Sequence, residues 1–173
     1  MKKKVLVLLL LGAFVSSMAM AQAQQKARTP GDYVKELLAL SGADRADRNI
    51  IEADRSSGNY LFVPLYKGNT LIGYGTWAQG VKIYSHREDL IAIINPDGTL
   101  QNFLPIDANE KHPEVRDLKW RSKFFGMDYK RDFIHSADVS SGSTFSSIMF
   151  VAELKGMLFA FNEYVVKAGK VKK

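Results

Sequence analysis

Leu90-Ile91-Ala92-Ile93-Ile94-Asn95-Pro96-Asp97-Gly98-Thr99-Leu100-Gln101-Asn102-Phe103-Leu104-Pro105-Ile106 decides the fold. Five consecutive apolar residues, 90–94, are too few for a buried helix and suit a strand covered on both faces. Asn95-Pro96-Asp97-Gly98 is a turn signal, with proline at the second position and glycine at the end. Residues 99–106 return as the partner strand, so the sheet is antiparallel. Working outward, 60–66 is rich in strand formers but carries Pro64, which assigns it to a sheet edge or a bulge. Lys67-Gly68-Asn69 is a turn, and 70–77 is a further strand that residues 81–85 can continue. Downstream, Val151, Leu154, Leu158, Phe161 and Val165 recur at intervals of three and four, the stripe of a long core-packing helix. Between them, 114–125 is expected to hold a short helix with Trp120 and Phe124, stopped by Gly126, and 127–134 is expected to be extended. Upstream, Thr29-Pro30 reads as an N-cap followed by an N1 proline, with Asp32 in the first turn and Gly42 as the stop. Val34, Leu37 and Leu38 form its apolar face. The charged stretch 43–59 is read as a second short helix through Ile50 and Ile51. The fold class is therefore α+β: an antiparallel sheet with packed helices and a long C-terminal helix.

The ends of the chain carry other information. Lys2, Lys3 and Lys4 precede an apolar run, and Ala19, Ala21 and Ala23 follow it at small-x-small spacing. This is the order of a secretory signal peptide cleaved near Ala21 or Ala23. An uncleaved N-terminal membrane anchor is the alternative, since residues 5–21 are uncharged and at the lower edge of what spans a bilayer, but the small residues favour cleavage. Removing 23 of the 173 residues leaves 150 and lowers the formal charge from +6 to +3. Much of that excess lies in Lys167, Lys170, Lys172 and Lys173, so no nucleic-acid partner is expected. The chain divides into a signal peptide (1–23), an N-terminal helical segment (24–59) and the main α+β unit (60–173), for an exported, periplasmic protein.

Composition removes several chemistries. The chain contains no cysteine, which excludes disulfides, thiolate metal sites, iron–sulfur clusters and a thiol nucleophile. His86, His112 and His135 are dispersed, with no metal-ligand spacing among them. The serine-rich segment lacks the glycine-x-serine-x-glycine elbow and the serine-x-x-lysine pair, so a serine hydrolase is unsupported. No catalytic set is read.

One segment departs from ordinary surface. Asp138-Val139-Ser140-Ser141-Gly142-Ser143-Thr144-Phe145-Ser146-Ser147 stands immediately before the long apolar helix. A glycine-containing turn opening a helix presents free backbone N–H groups, and the macrodipole adds positive partial charge. Hydroxyls at the same place add donors, and the whole suits a phosphate. The same composition also serves as a plain helix cap with no ligand.

The segment Asp138 to Thr144 closely resembles the attachment motif of the FMN-binding domain family, Asp-x-x-Ser/Thr-Gly-Ala-Thr. That family includes periplasmic flavoprotein subunits of the sodium-translocating NADH:quinone reductase and of a related electron-transport complex. Phe145-Ser146-Ser147 is similar to the family's continuation. Trp120-Arg121-Ser122-Lys123-Phe124-Phe125-Gly126 is similar to its aromatic-x-x-x-Phe-x-Gly stretch. Tyr74-Gly75 and the Asp97-Gly98 turn also sit where the family has them. Ser143 replaces the usual alanine, and the family's Glu-Thr-Pro-Gly loop has only Glu110-Lys111-His112-Pro113 as its nearest counterpart.

The resemblance implies FMN as cofactor, joined through its phosphate to Thr144. Asp138, Ser141, Gly142, Ser143, Ser146, Ser147 and Trp120 would line the site. It implies a flavin transferase as maturation partner and a membrane or extracytoplasmic redox partner. A threonine hydroxyl is a weak nucleophile, and the motif supplies no evident base, so self-modification is not expected. Trp120, Phe124 and Trp77 are candidates to stack on the flavin ring, although the core is the commoner place for each. Two functions follow: an exported electron carrier that is not a self-contained enzyme, or an exported non-redox module binding a small ligand or a protein partner on the same fold.

Overall fold

The computed structural model describes residues 27–53, 60–83, 86–106, 113–136 and 144–172. Helix α1 (Pro30–Ser41) is followed by two short strands, β1 (Arg45–Ala46) and β2 (Ile51–Ala53). Four longer strands come next: β3 (Tyr60–Lys67), β4 (Thr70–Ile83), β5 (His86–Ile94) and β6 (Leu100–Pro105). A 3-10 turn (Pro113–Arg116), helix α2 (Leu118–Arg121), a second 3-10 turn (Ser122–Phe124) and helix α3 (Phe133–Ser136) form an irregular arm. The long helix α4 (Thr144–Phe161) closes with a π turn (Asn162–Val166). The sheet is antiparallel and six-stranded, in the order β1-β3-β4-β5-β6, with β2 also paired to β3. The fold is α+β, as the strand and helix patterns require.

Helices cover both faces of the sheet. On one face α1 packs Tyr33 and Leu37 against Val63, Leu65, Trp77, Ile91 and Ile93. On the other, Phe150, Val151, Leu154, Met157, Leu158 and Phe161 of α4 pack against Phe62, Tyr74, Leu90, Ala92 and Ile94. Residues 90–94 are therefore fully buried, with alternate side chains serving alternate cores. The Asn95–Gly98 turn closes as expected: the Gly98 N–H donates to the Asn95 carbonyl at 2.9 Å. Asp97 Oδ1 accepts the Thr99 N–H at 3.0 Å.

The N-terminus of α1 also forms as read. Thr29 and Asp32 make a reciprocal capping box, and Gly42 ends the helix at φ 68°. Tyr33, outside the expected apolar face, is one of its two fully buried residues. Gly75 allows the contact with the sheet, since a Cβ there would stand 2.7 Å from Leu37 Cδ1.

Two expectations are corrected. The second helix through Ile50 and Ile51 does not form; β1 and β2 lie there instead, side by side along β3. Pro64 explains why they are two strands. Its carbonyl accepts the Asp47 N–H at 2.8 Å, but it has no N–H to return, so the ladder breaks at that point. The proline is thus excused by the break beside it, while β3 itself is flanked on both sides. Residues 127–134 are not a strand either. Gly126 and Met127 make one short exchange with Leu100, at 2.8 and 2.9 Å, after which the chain turns into α3.

Candidate functional site

The two faces of the sheet hold their polar groups differently, and open volume lies beside α4. On the α1 face, Asp89 gathers the Tyr33 hydroxyl at 2.6 Å and the Gly80 N–H at 2.8 Å. Arg28 Nη1 adds a third bond at 3.2 Å, and Arg28 Nη2 donates to the Ile106 carbonyl at 2.7 Å. Burial, reinforced by the bond to Asp89, pushes the Tyr33 hydroxyl well above the ordinary tyrosine range. Trp77 stacks on Tyr33 with centroids 5.2 Å apart and planes 6° apart. Trp77 therefore serves the α1 core. The sheet separates it from Trp120, so one flavin ring cannot touch both.

On the α4 face, buried polar atoms lack partners among the described residues: Thr76 Oγ1, Trp120 Nε1 and His86 Nδ1. Gln101 Oε1 is a further such atom, and it lies by Gly73 and Ile93 on the α1 side, so atoms of this kind occur on both faces. Trp120 is 5% exposed. It makes edge contacts with Phe103 at 5.8 Å and Phe124 at 5.0 Å. The Arg121 guanidinium beside it is also buried. It donates to the Phe103 carbonyl at 2.6 Å and to Asn102 Oδ1 at 2.5 Å. Burial lowers its affinity for the proton. The Trp120–Gly126 stretch thus fastens the arm to β6, with Gly126 turning at φ 77°.

Thr144 is the first residue of α4. Ser146 and Ser147 follow in its first turn and are buried, at 2% and 0% exposure. Asp138, Ser141, Gly142 and Ser143 lie outside the described residues, as does the loop containing Glu110 and His112. The helix runs from this end to Phe161, which packs on Phe62 and Tyr74. Beside its second and third turns lies a cleft of about 440 Å³. Gly80, Val81, Lys82 and Arg87 of the hairpin form one wall; Met149, Ala152 and Glu153 of α4 form the other. A volume of this size is in the range of small-molecule sites.

Lys82 and Arg87 stand directly opposite each other in the β4–β5 register. Like charges at such positions repel, and a nearby anion would relieve that repulsion. Arg87 Nη1 also donates to the Gly80 carbonyl at 2.7 Å. Glu88, with a fully buried side chain, accepts from or donates to His86 Nε2 at 2.8 Å, according to their protonation. Sequence reasoning missed the basic pair because Lys82 and Arg87 become neighbours only through the hairpin register.

Among the described residues, no group of three or more His, Asp or Glu side chains is placed to hold a metal ion. No helix among them is long and apolar enough to cross a membrane. No protein-family model matches the chain, and no curated protein matches it.

Proposed function

We propose that the protein is an exported electron carrier that binds FMN, with the flavin phosphate esterified to Thr144 by a separate transferase. The observation that carries this reading is the Asp138-to-Thr144 motif set so that Thr144 opens an 18-residue helix. A helix start favours the negative charge a phosphodiester retains. The α4-side cleft fits the rest of the group. Five residues of helix separate Thr144 from Met149, about 7.5 Å of rise. Val81, Met149 and Ala152 supply apolar wall for a ring, and Lys82 and Arg87 supply positive charge. The flavin would supply the redox chemistry, consistent with a chain that has no cysteine. This chain's residues would hold and orient it.

The test is co-expression with a flavin transferase and export, followed by intact-mass measurement and absorbance after denaturation. Wild type and Ser143→Ala retain a flavin-sized adduct; Thr144→Ala loses it while keeping its melting temperature. A colourless, unmodified wild type under those conditions would favour the non-redox binding module. An adduct on Thr144→Ala would move the attachment elsewhere.

A further inference from the structure

A second hollow, of about 350 Å³, opens on the outer side of α4 and has a different chemistry. Three aromatic side chains and one carboxylate wall it: Tyr60 from β3, Phe159 and Tyr164 from the C-terminal end of the helical run, and Glu153. Glu153, Gly156, Ala160 and Tyr164 are spaced by three or four residues and so share one side of the helix. Gly156 makes room for Tyr60, since a Cβ there would stand 3.0 Å from the tyrosine hydroxyl. That hydroxyl donates to Glu153 Oε1 at 2.7 Å and fixes the carboxylate in the wall. Tyr129 braces Phe159 edge-on at 5.5 Å. Yet Phe159 and Tyr164 remain 51% and 37% exposed.

Rings held in water beside a fixed carboxylate offer a particular chemistry. Aromatic faces attract cations, and the carboxylate adds Coulomb attraction. The remaining wall, Ala152, Gly156 and Ala160, is apolar. A primary ammonium needs several acceptors for its three N–H groups, and this lining offers few. A quaternary ammonium needs none, and its methyl groups suit the rings and alanines. We propose that this hollow binds a small quaternary alkylammonium compound free in solution. The proposal is independent of the flavin reading.

The test is an amide-shift titration of the purified exported chain with choline, and with 3,3-dimethylbutan-1-ol, which replaces the charged nitrogen by carbon. Choline should give saturable shifts around Tyr60 and Gly156, and the neutral analogue should bind at least about tenfold more weakly. Glu153→Gln and Phe159→Ala should each weaken choline binding by about tenfold at unchanged melting temperature. Equal binding of the neutral analogue, or shifts with choline that sodium chloride reproduces, would overturn the proposal. Binding to phosphatidylcholine vesicles without binding to choline would assign the hollow to a lipid headgroup and overturn the free-solute reading. The titration needs no flavin, so its failure is separable from failure of the attachment test.

Discussion

The two faces of one sheet are built to different rules. The α1 face is closed: its carboxylate, Asp89, holds a guanidinium, a phenol and a backbone N–H at once, and its aromatic pair is stacked flat. The α4 face has the larger core, but it also holds Thr76, Trp120 and His86 atoms without partners among the described residues, and its helix borders both clefts. The Asp89 knot, tying helix to sheet, marks the side that stabilises. Open volume beside α4 makes that side the candidate for a ligand. Alternate residues of a single strand, 90–94, serve both.

The largest effect should come from the core under α4. Phe161 is fully buried between Phe62 and Tyr74. Phe161→Ala should cost about 3–5 kcal/mol by loss of burial and creation of a cavity, read as a fall in the urea midpoint. Asp89→Ala tests the opposite face. It strips the partners from Arg28 Nη1, Tyr33 and Gly80 together, and should cost about 1–3 kcal/mol. Hydrogen exchange should show α1 opening first. Flavin content, if Thr144 carries the group, should stay at the wild-type level. Loss of flavin in Asp89→Ala without loss of stability would break the division between the faces.

Two glycines sharpen it further. Gly75→Ala would drive a methyl into Leu37, whose Cδ1, Cδ2 and Cγ all lie within 3.2 Å of the new atom. Overpacking of that kind costs about 1–3 kcal/mol. Gly156→Ala should be nearly neutral. Its single close contact, the Tyr60 hydroxyl, is the tip of a side chain, and alanine gains about 1 kcal/mol of helix propensity over glycine. Equilibrium denaturation of the pair checks whether the α1 face is the less forgiving of added volume.

How legible this was varied with the range of the determining contacts. The 90–106 hairpin, the α1 cap at Thr29 and the α4 stripe are local signals, and each formed where the sequence places it. Residues 43–59 misled because Asp44, Arg45, Asp47 and Arg48 resemble a solvated helix face. Their backbone was claimed by β3, as the Asp44 N–H to Tyr66 carbonyl bond at 2.9 Å records. Tyr33 was passed over because its value lies in Asp89, 56 residues away. The resemblance of Asp138 to Thr144 was legible as a string, but the cleft beside α4 was not. That cleft depends on the β4–β5 register, which sets Lys82 opposite Arg87, and on which side of α4 Met149 and Glu153 present.

Among the α1-face variants the smallest effect at neutral pH should come from Tyr33→Phe, and its signature is pH dependence. The substitution keeps the ring on Trp77 and leaves Asp89 its bonds to Arg28 and Gly80. Loss of one hydrogen bond should cost about 1 kcal/mol. Burial first, and the Asp89 bond second, raise the pKa of Tyr33 in the folded chain above its unfolded value of about 10. Above that pH the unfolded chain releases the proton while the folded chain keeps it. Stability is therefore fully present below pH 10 and falls as pH rises toward the folded value. Burial also raises the pKa of Tyr74, whose hydroxyl accepts the Lys172 N–H at 2.8 Å, so the variant keeps part of the alkaline slope. Urea midpoints at pH 8 and pH 11 should converge: the wild type exceeds Tyr33→Phe at the lower pH and loses that margin at the higher. A margin that persisted unchanged at pH 11 would show that the Tyr33 proton is not held by the fold, and that the α1 face is sealed by ring packing alone.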